Sequence, residues 1–360
     1  MINVKDKSNI HQYASVNWLK EIYKSSTVHT SNAFHYLGTN INGLKERHKQ
    51  CKLMPTISLY KSTSTTLSIH GIPITHDKKV LASDFQYSGN ILKTLSSSEI
   101  SDGKKFTVER GVSLIRPGDH IYGHWLIDIL PQVWMLEKHL ANKSHSYIIR
   151  KGLPPFVYSL MSLMGIHQNR LIEVNPTTQL CAIEECYLVD NLRFDQNIHP
   201  AFAEYSDSLE KMVSRNLKGK NNHKYIFISR GKWKNKNPNT HRILLNAKEV
   251  EGFYRERGFS IINPQELPIE EQISLFAEAK YIAGEDGSGL HNSMFSKNAT
   301  INCLKGEKNH SLIQASIDSH RGNKIGYVLG KSNGLVATRN SSFIIDLNDL
   351  KTLYERSMSL

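Results

Sequence analysis

Two stretches of the sequence hold residues whose types and spacing suit a bond-making reaction. His124 and Asp128 stand four residues apart in His120-Ile121-Tyr122-Gly123-His124-Trp125-Leu126-Ile127-Asp128. On a helix they share a face and can form the hydrogen-bonded pair that a general base and its orienting group require. The same spacing serves a purely structural contact. His120, His124 and Asp128 could also present three metal ligands on one helix face, although Gly118-Asp119 reads as the turn and cap that start the helix and leave His120 frayed. The second stretch is Gly284-Glu285-Asp286-Gly287-Ser288-Gly289-Leu290-His291-Asn292, between the apolar run Tyr281-Ile282-Ala283 and Ser293-Met294-Phe295. Strand, glycine loop and helix start, in that order, make an anion site. Glycines 284, 287 and 289 let the backbone approach a phosphate, and the unpaired amides of the first helical turn point at it. Such loops also serve simply to turn the chain, and this spacing is not the G-x-G-x-x-G of dinucleotide binders.

The elements around these stretches follow from apolar periodicity. Trp125, Ile129, Val133 and Leu136 recur at helical spacing, so one face of that helix is core, and Pro131 should kink or restart it because its ring opposes the Ile127 carbonyl. Upstream, Thr107-Val108-Glu109 and Val112-Ser113-Leu114-Ile115 read as two strands around Arg110-Gly111. Tyr147–Ile149, Leu171–Val174 and Tyr187–Val189 are strands, with a helix over Phe156–Met164. A second series has strands at Tyr225–Ile228, Phe259–Ile262, Tyr281–Ala283, Thr300–Leu304 and Ile325–Leu329. Helices are expected between them from about Ala247 to Arg257, from Ile269 to Ala279 and near 311–318. Strands linked by helices imply an α/β fold with a mainly parallel sheet. Ligands on such sheets bind beyond the carboxyl ends of the strands. Arg230 and the Gly284 loop both sit at such ends and converge on one anion site.

The chain has 360 residues, 39% of them hydrophobic, enough for two cores. Forty-five Lys and Arg against thirty-three Asp and Glu give a net charge of +12, which favours an anionic partner: nucleotide, nucleic acid, acidic glycan or membrane surface. The densest basic segment, Lys232-Trp233-Lys234-Asn235-Lys236 running to His241-Arg242, sets an aromatic among cations as nucleic-acid binders do, and also reads as a solvated loop. Four cysteines are too few and too scattered for a disulfide framework. The polar start, and the absence of any apolar run near the ~18 residues that cross a bilayer, lead us to expect an unexported, cytoplasmic chain.

An ordered set of residues then resembles glycosyltransferase family 61. The set is His124-x-x-x-Asp128-x-x-Pro131, Ile228-Ser229-Arg230, Arg242-Ile243-Leu244-Leu245-Asn246, Gly258-Phe259, Gln272, and Gly284-x-x-Gly287-x-Gly289-Leu290-x-Asn292-x-x-Phe295. The resemblance covers roughly 115–320. It implies a GT-B-like arrangement of two facing Rossmann-like domains with mainly parallel sheets, and inverting transfer of a hexosyl or pentosyl group from a nucleotide-sugar, commonly UDP-linked. No metal or other cofactor is implied. Arg230, Arg242, Asp286, Gly287, Ser288, Gly289, His291 and Asn292 would hold the donor, with His124 and Asp128 across the cleft. Either of these two could take the acceptor's proton, and Glu285 or Asp286 could contribute near the donor. Asp286 stands where the family usually has His, and Gly231–Thr240 lengthens the interval between the arginine motifs. The domains expected are an acceptor-side domain over 1–205, a donor domain over 206–335, and a strand and helix over 336–360 packing back. The acceptor would be a glycan or lipid-linked glycan of bacterial surface polysaccharide synthesis such as a capsule, with peripheral contact to an anionic membrane surface and no nucleic acid. A non-catalytic basic binding protein, for nucleic acid or an acidic glycan, is the alternative. A nucleotide-dependent oxidoreductase is disfavoured by the missing dinucleotide fingerprint.

Overall fold

The computed structural model describes residues 2–3, 16–29, 33–49, 51–75, 81–82, 100–214, 223–231, 242–333 and 338–360. The basic run from Lys232 to His241, with most of the lengthened interval, lies outside the described residues. Two compact units are present: one runs through Ser26 and from Met54 to Asp195, the other takes Thr27–Leu53 and Gln196–Leu360.

The first unit is built on seven strands: β1 (Val16–Tyr23), β2 (Ile57–Leu67), β3 (Pro73–Thr75), β4 (Lys104–Ser113), β5 (Ser146–Arg150), β6 (Leu171–Val174) and β7 (Gln179–Val189). They lie in the order β6-β5-β4-β7-β2-β1, with β3 beside β2. The pairings from β6 to β7 are parallel; those made by β2 are antiparallel, so this sheet is mixed. The pair of strands expected around Arg110-Gly111 is one continuous strand, β4. Gly111 does not turn the chain: a Cβ there would stand 3.1 Å from Ile148 Cδ1 and 3.2 Å from Ile183 Cγ2, so neighbouring isoleucines fill the space. Val108, Ile148, Ile183, Cys181 and Cys186 pack into one apolar cluster with both thiols free.

The second unit holds β8 (Tyr225–Ile228), β9 (Ser260–Ile262), β10 (Tyr281–Glu285), β11 (Thr300–Gly306), β12 (Lys324–Ser332) and β13 (Phe343–Ile344). Their order is β9-β8-β10-β11-β12-β13, with His35–Gly38 parallel to β12. All pairings from β9 to β12 are parallel and β13 is antiparallel. Helices Ala247–Arg255, Ile269–Glu278 and Ile313–Ser319 fall between the strands. The C-terminal helix Leu347–Met358 is capped by Asp346, whose carboxylate accepts from the Asn348 amide at 2.7 Å, and it seats Leu350 and Leu353 in the core. Taking β8 to β12 as five successive strands, the spatial order is 2-1-3-4-5. In a doubly wound sheet of that order the ligand crevice opens between the first and third strands, here β8 and β10. The fold is thus mixed α/β with mostly parallel sheets. Among the described residues no helix is long and apolar enough to cross a membrane.

Candidate functional site

At the switch point Ile228 of β8 pairs with Gly284 of β10. A Cβ on Gly284 would lie 2.9 Å from Ile228 Cβ and 3.0 Å from its carbonyl oxygen, so only glycine allows this register. Gly287 adopts φ 147°, and its nearest outside neighbour is Arg230 Nη1, 4.0 Å from where a Cβ would stand. Beyond it the Leu290 amide donates to the Gly287 carbonyl at 2.9 Å, and the chain enters a 3-10 helix, Leu290–Phe295. The helix start expected here is therefore this short turn, held by side chains that bond inward. His291 Nδ1 meets Gln314 Oε1 at 2.9 Å, Asn292 Nδ2 donates to Gln272 Oε1 and the Gly289 carbonyl, and Ser293 Oγ donates to Asp318 Oδ1 at 2.7 Å. His291 and Asn292 are buried and hold the loop; Gly287, Ser288 and Gly289 are partly exposed and form its open surface.

The ends of β8, β10 and β11 surround a pocket lined by Arg230, Arg242, Glu285, Asp286, Lys305 and Asn309, with Phe343 on one wall. Asp286 accepts from Asn309 Nδ2 at 2.7 Å, and Arg242 Nη1 stands 3.8 Å from its Oδ2. Burial pushes the Asp286 pKa up, but Lys305, Arg242 and His291 outweigh it, so the carboxyl stays ionised below its ordinary range. Burial also lowers the Arg230 pKa, opposed by Glu285. Arg242 is held at φ 61°, its amide donating to the Asn340 carbonyl at 2.9 Å. Lys305 is 1% exposed, donates to the Ser311 carbonyl at 2.7 Å and lies 4.4 Å from the Tyr327 ring centroid. Three cations against two carboxylates leave the pocket positive, and guanidinium groups there can grip phosphate oxygens through paired N–H donors. The strand-end logic that finds Arg230 also applies to Lys305, which the sequence reading missed.

In the first unit His124 closes a three-residue helical turn, Tyr122–His124; a π-helical turn, Trp125–Ile129, follows, and then the helix Leu130–His139. The wide turn is how the chain accommodates Pro131: the Leu130 amide reaches back to the Trp125 carbonyl, and the helix restarts with proline in its first turn. Trp125, Ile129, Val133 and Leu136 are fully buried. His124 Nδ1 and Asp128 Oδ2 are 2.7 Å apart. Asp128 is also buried and takes a fork from Arg193, with Nε donating to Oδ1 at 2.6 Å and Nη2 to Oδ2 at 3.0 Å. Burial raises the Asp128 pKa, but the Arg193 charge and the hydrogen bonds from His124 and Arg193 override it and hold the carboxyl far below the usual range. The His124 side chain is 41% exposed, and its ring lies against Gly118, where a Cβ would stand 2.8 Å from Cδ2. His120 is exposed and precedes the helix, and no three His, Cys, Asp or Glu side chains among the described residues gather as metal ligands. Arg193 stands 65 residues from Asp128, and no local spacing in the sequence links the two.

A parallel sheet with a cationic pocket at the carboxyl ends of its strands, and a histidine-carboxylate pair in the helical turns of the other unit, suit an α/β group-transfer enzyme. Residues 122–303, just over half the chain, match the glycosyltransferase 61 family. The chain belongs to that family, and its reaction is the transfer of a sugar from a donor to an acceptor. No match to a curated protein was found.

Proposed function

We propose that the protein transfers a sugar from a nucleotide-sugar to a glycan hydroxyl with inversion, by one in-line displacement. The observation that carries this reading is the cationic pocket at the carboxyl ends of β8, β10 and β11. As the bond between sugar and diphosphate breaks, negative charge grows on the leaving group, and fixed cations and loop amides lower that barrier. Arg230 and Arg242 take the phosphate oxygens, Lys305 supplies charge from beneath, and the exposed Gly287-Ser288-Gly289 backbone completes the cradle. His291 and Asn292 contribute by holding that loop. These cations do the work a divalent ion would do, so the reaction proceeds without metal or other cofactor. Asp286 faces Arg242 and tunes which donor is accepted.

In the first unit His124 takes the acceptor proton through Nε2, and Asp128 orients it. A carboxylate held as low as Asp128 is a weak base, while the half-exposed imidazole can be reached by a hydroxyl. The glycan acceptor and the place in bacterial surface polysaccharide synthesis rest on the motif resemblance, and the cytoplasmic setting on the polar start and the lack of a bilayer-length apolar run. The net charge of +12 supports contact with an anionic membrane surface. A thermal-shift series with UDP, GDP, CMP and NAD, repeated in EDTA, tests the assignment. Stabilisation by a sugar-carrying class of nucleotide, indifferent to EDTA, is expected. Stabilisation by NAD alone would favour an oxidoreductase, and by none of them a basic binding protein. Dependence on a divalent ion would return His120, His124 and Asp128 to consideration as ligands.

A further inference from the structure

We propose that Arg193 is a positioning residue of the transfer reaction, setting the tautomer of His124 through Asp128. The proposal rests on the reading of His124 as the base. Asp128 lies in the π-helical turn and is 4% exposed, so protein groups and not water decide what its oxygens do. Arg193 occupies Oδ1 through Nε at 2.6 Å and shares Oδ2, through Nη2 at 3.0 Å, with His124 Nδ1 at 2.7 Å. Its remaining nitrogen, Nη1, donates to the Asp195 carbonyl at 2.5 Å, in a turn where Asp195 takes φ 54°. The guanidinium is therefore held at both ends, and its plane fixes the plane of the carboxylate.

The consequence is chemical. Arg193 can only donate, so both Asp128 oxygens must accept, and the carboxyl keeps no proton of its own. His124 Nδ1 then has to be the donor in its contact with Oδ2. That leaves the lone pair on Nε2, on the exposed side of the ring, the form in which a neutral imidazole removes a proton. Without Arg193 a buried Asp128 can retain a proton and donate it to Nδ1. The imidazole hydrogen then moves to Nε2, and the base presents the wrong nitrogen. A merely structural Arg193 would tie the turn after β7 to the helix without affecting which nitrogen carries hydrogen.

The test compares wild type, Arg193→Gln, Arg193→Lys, Asp128→Asn and the double variant Arg193→Gln with Asp128→Asn. The His124 ring is read by two-bond proton–nitrogen NMR on protein with labelled histidine, its signals assigned by their loss in His124→Gln. Turnover is read as UDP release from UDP-glucose, UDP-N-acetylglucosamine and UDP-xylose with water as acceptor. Wild type is expected to show the Nδ1–H tautomer. Arg193→Gln should populate the other one and lose turnover roughly 10- to 100-fold, the size of orienting-group effects, at unchanged KM for the donor. Lysine keeps the charge without the fork, so Arg193→Lys should keep the tautomer and lose only severalfold in turnover. The double variant should be no slower than Asp128→Asn alone. If Arg193→Gln does not fold, Arg193→Lys decides: wild-type turnover in it overturns the proposal. A folded Arg193→Gln with the native tautomer overturns it as well. Full turnover in Asp128→Asn is a different failure, which removes the base assignment itself.

Discussion

In the first unit the candidate carboxylate is saturated, with Asp128 taking two bonds from Arg193 and one from His124, all between 2.6 and 3.0 Å. In the second unit the matching contact is loose: Arg242 stands 3.8 Å from Asp286, is 38% exposed, and has left-handed backbone that a non-glycine residue seldom adopts. The difference suits the two tasks proposed for these residues. A base must be aimed before the substrate arrives, so its partners are complete. A phosphate grip must exchange one anion for another, so its arginine is held only partly by the protein.

The largest effect expected from breaking the first arrangement is at His124. His124→Gln should lower turnover by roughly 10²- to 10⁴-fold and leave UDP affinity, measured by calorimetry, unchanged. Equal losses in turnover and UDP affinity would instead place the imidazole at the donor. Gly118→Ala should come next. An alanine at φ 82° is strained, and its Cβ would stand 2.8 Å from His124 Cδ2, so the ring must move. The backbone cost is about 1–3 kcal/mol. Both the melting temperature and turnover per folded molecule should fall; a fall in melting temperature alone would show that the ring has room to adjust.

These two sites were unequally legible in the sequence, for a physical reason. In the second unit Arg230, the glycine loop and Lys305 sit at the ends of strands whose apolar runs are local, so reading Tyr225–Ile228 and Tyr281–Ala283 as strands already brings Arg230 and the glycine loop together. In the first unit the pair His124 and Asp128 is local and was visible, but its partner Arg193 arrives through a tertiary contact. The π-helical turn was only half legible: Pro131 announces a break without saying that a wider turn absorbs it. The single strand β4 was misread because glycine marks turns by its backbone freedom, while Gly111 is there for side-chain space. Nor does local periodicity show that His35–Gly38 joins β12, about 290 residues later, or that β2 pairs antiparallel and mixes the first sheet.

Acid should also separate the units, with a smaller effect. In the second unit burial, aided by Lys305, lowers the His48 pKa from 6.5 to about 4, and His48 Nδ1 meets Tyr36 Oη at 2.7 Å. The neutral ring contributes stability that is fully present above pH 6.5 and is lost as pH falls toward 4, by about 1.5 kcal/mol between pH 6.5 and 5. In the first unit Glu137 is pushed up by burial, but bonds from His145, Arg170 and Tyr147 bring it down to about 2. Its contribution is kept until pH falls below 4.5. Asp318, raised to about 6 by burial, makes the fold more stable on acidification and partly masks His48, so the effect of His48 is read as a difference. Between pH 7 and 5 the denaturant midpoint of wild type should fall relative to that of His48→Phe. Parallel curves would remove His48 from the acid response.

The measurement that bears most directly on the assignment is calorimetric titration of UDP and other nucleoside diphosphates, with EDTA present, into wild type and Arg230→Ala of equal helical content. Saturable binding of one molecule of nucleotide per chain is expected in the wild type. Removing one charge-assisted phosphate contact, worth about 1.5–3 kcal/mol, should weaken it roughly 10- to 100-fold. Equal nucleotide affinity in the two folded proteins would contradict the placement of the donor between β8 and β10.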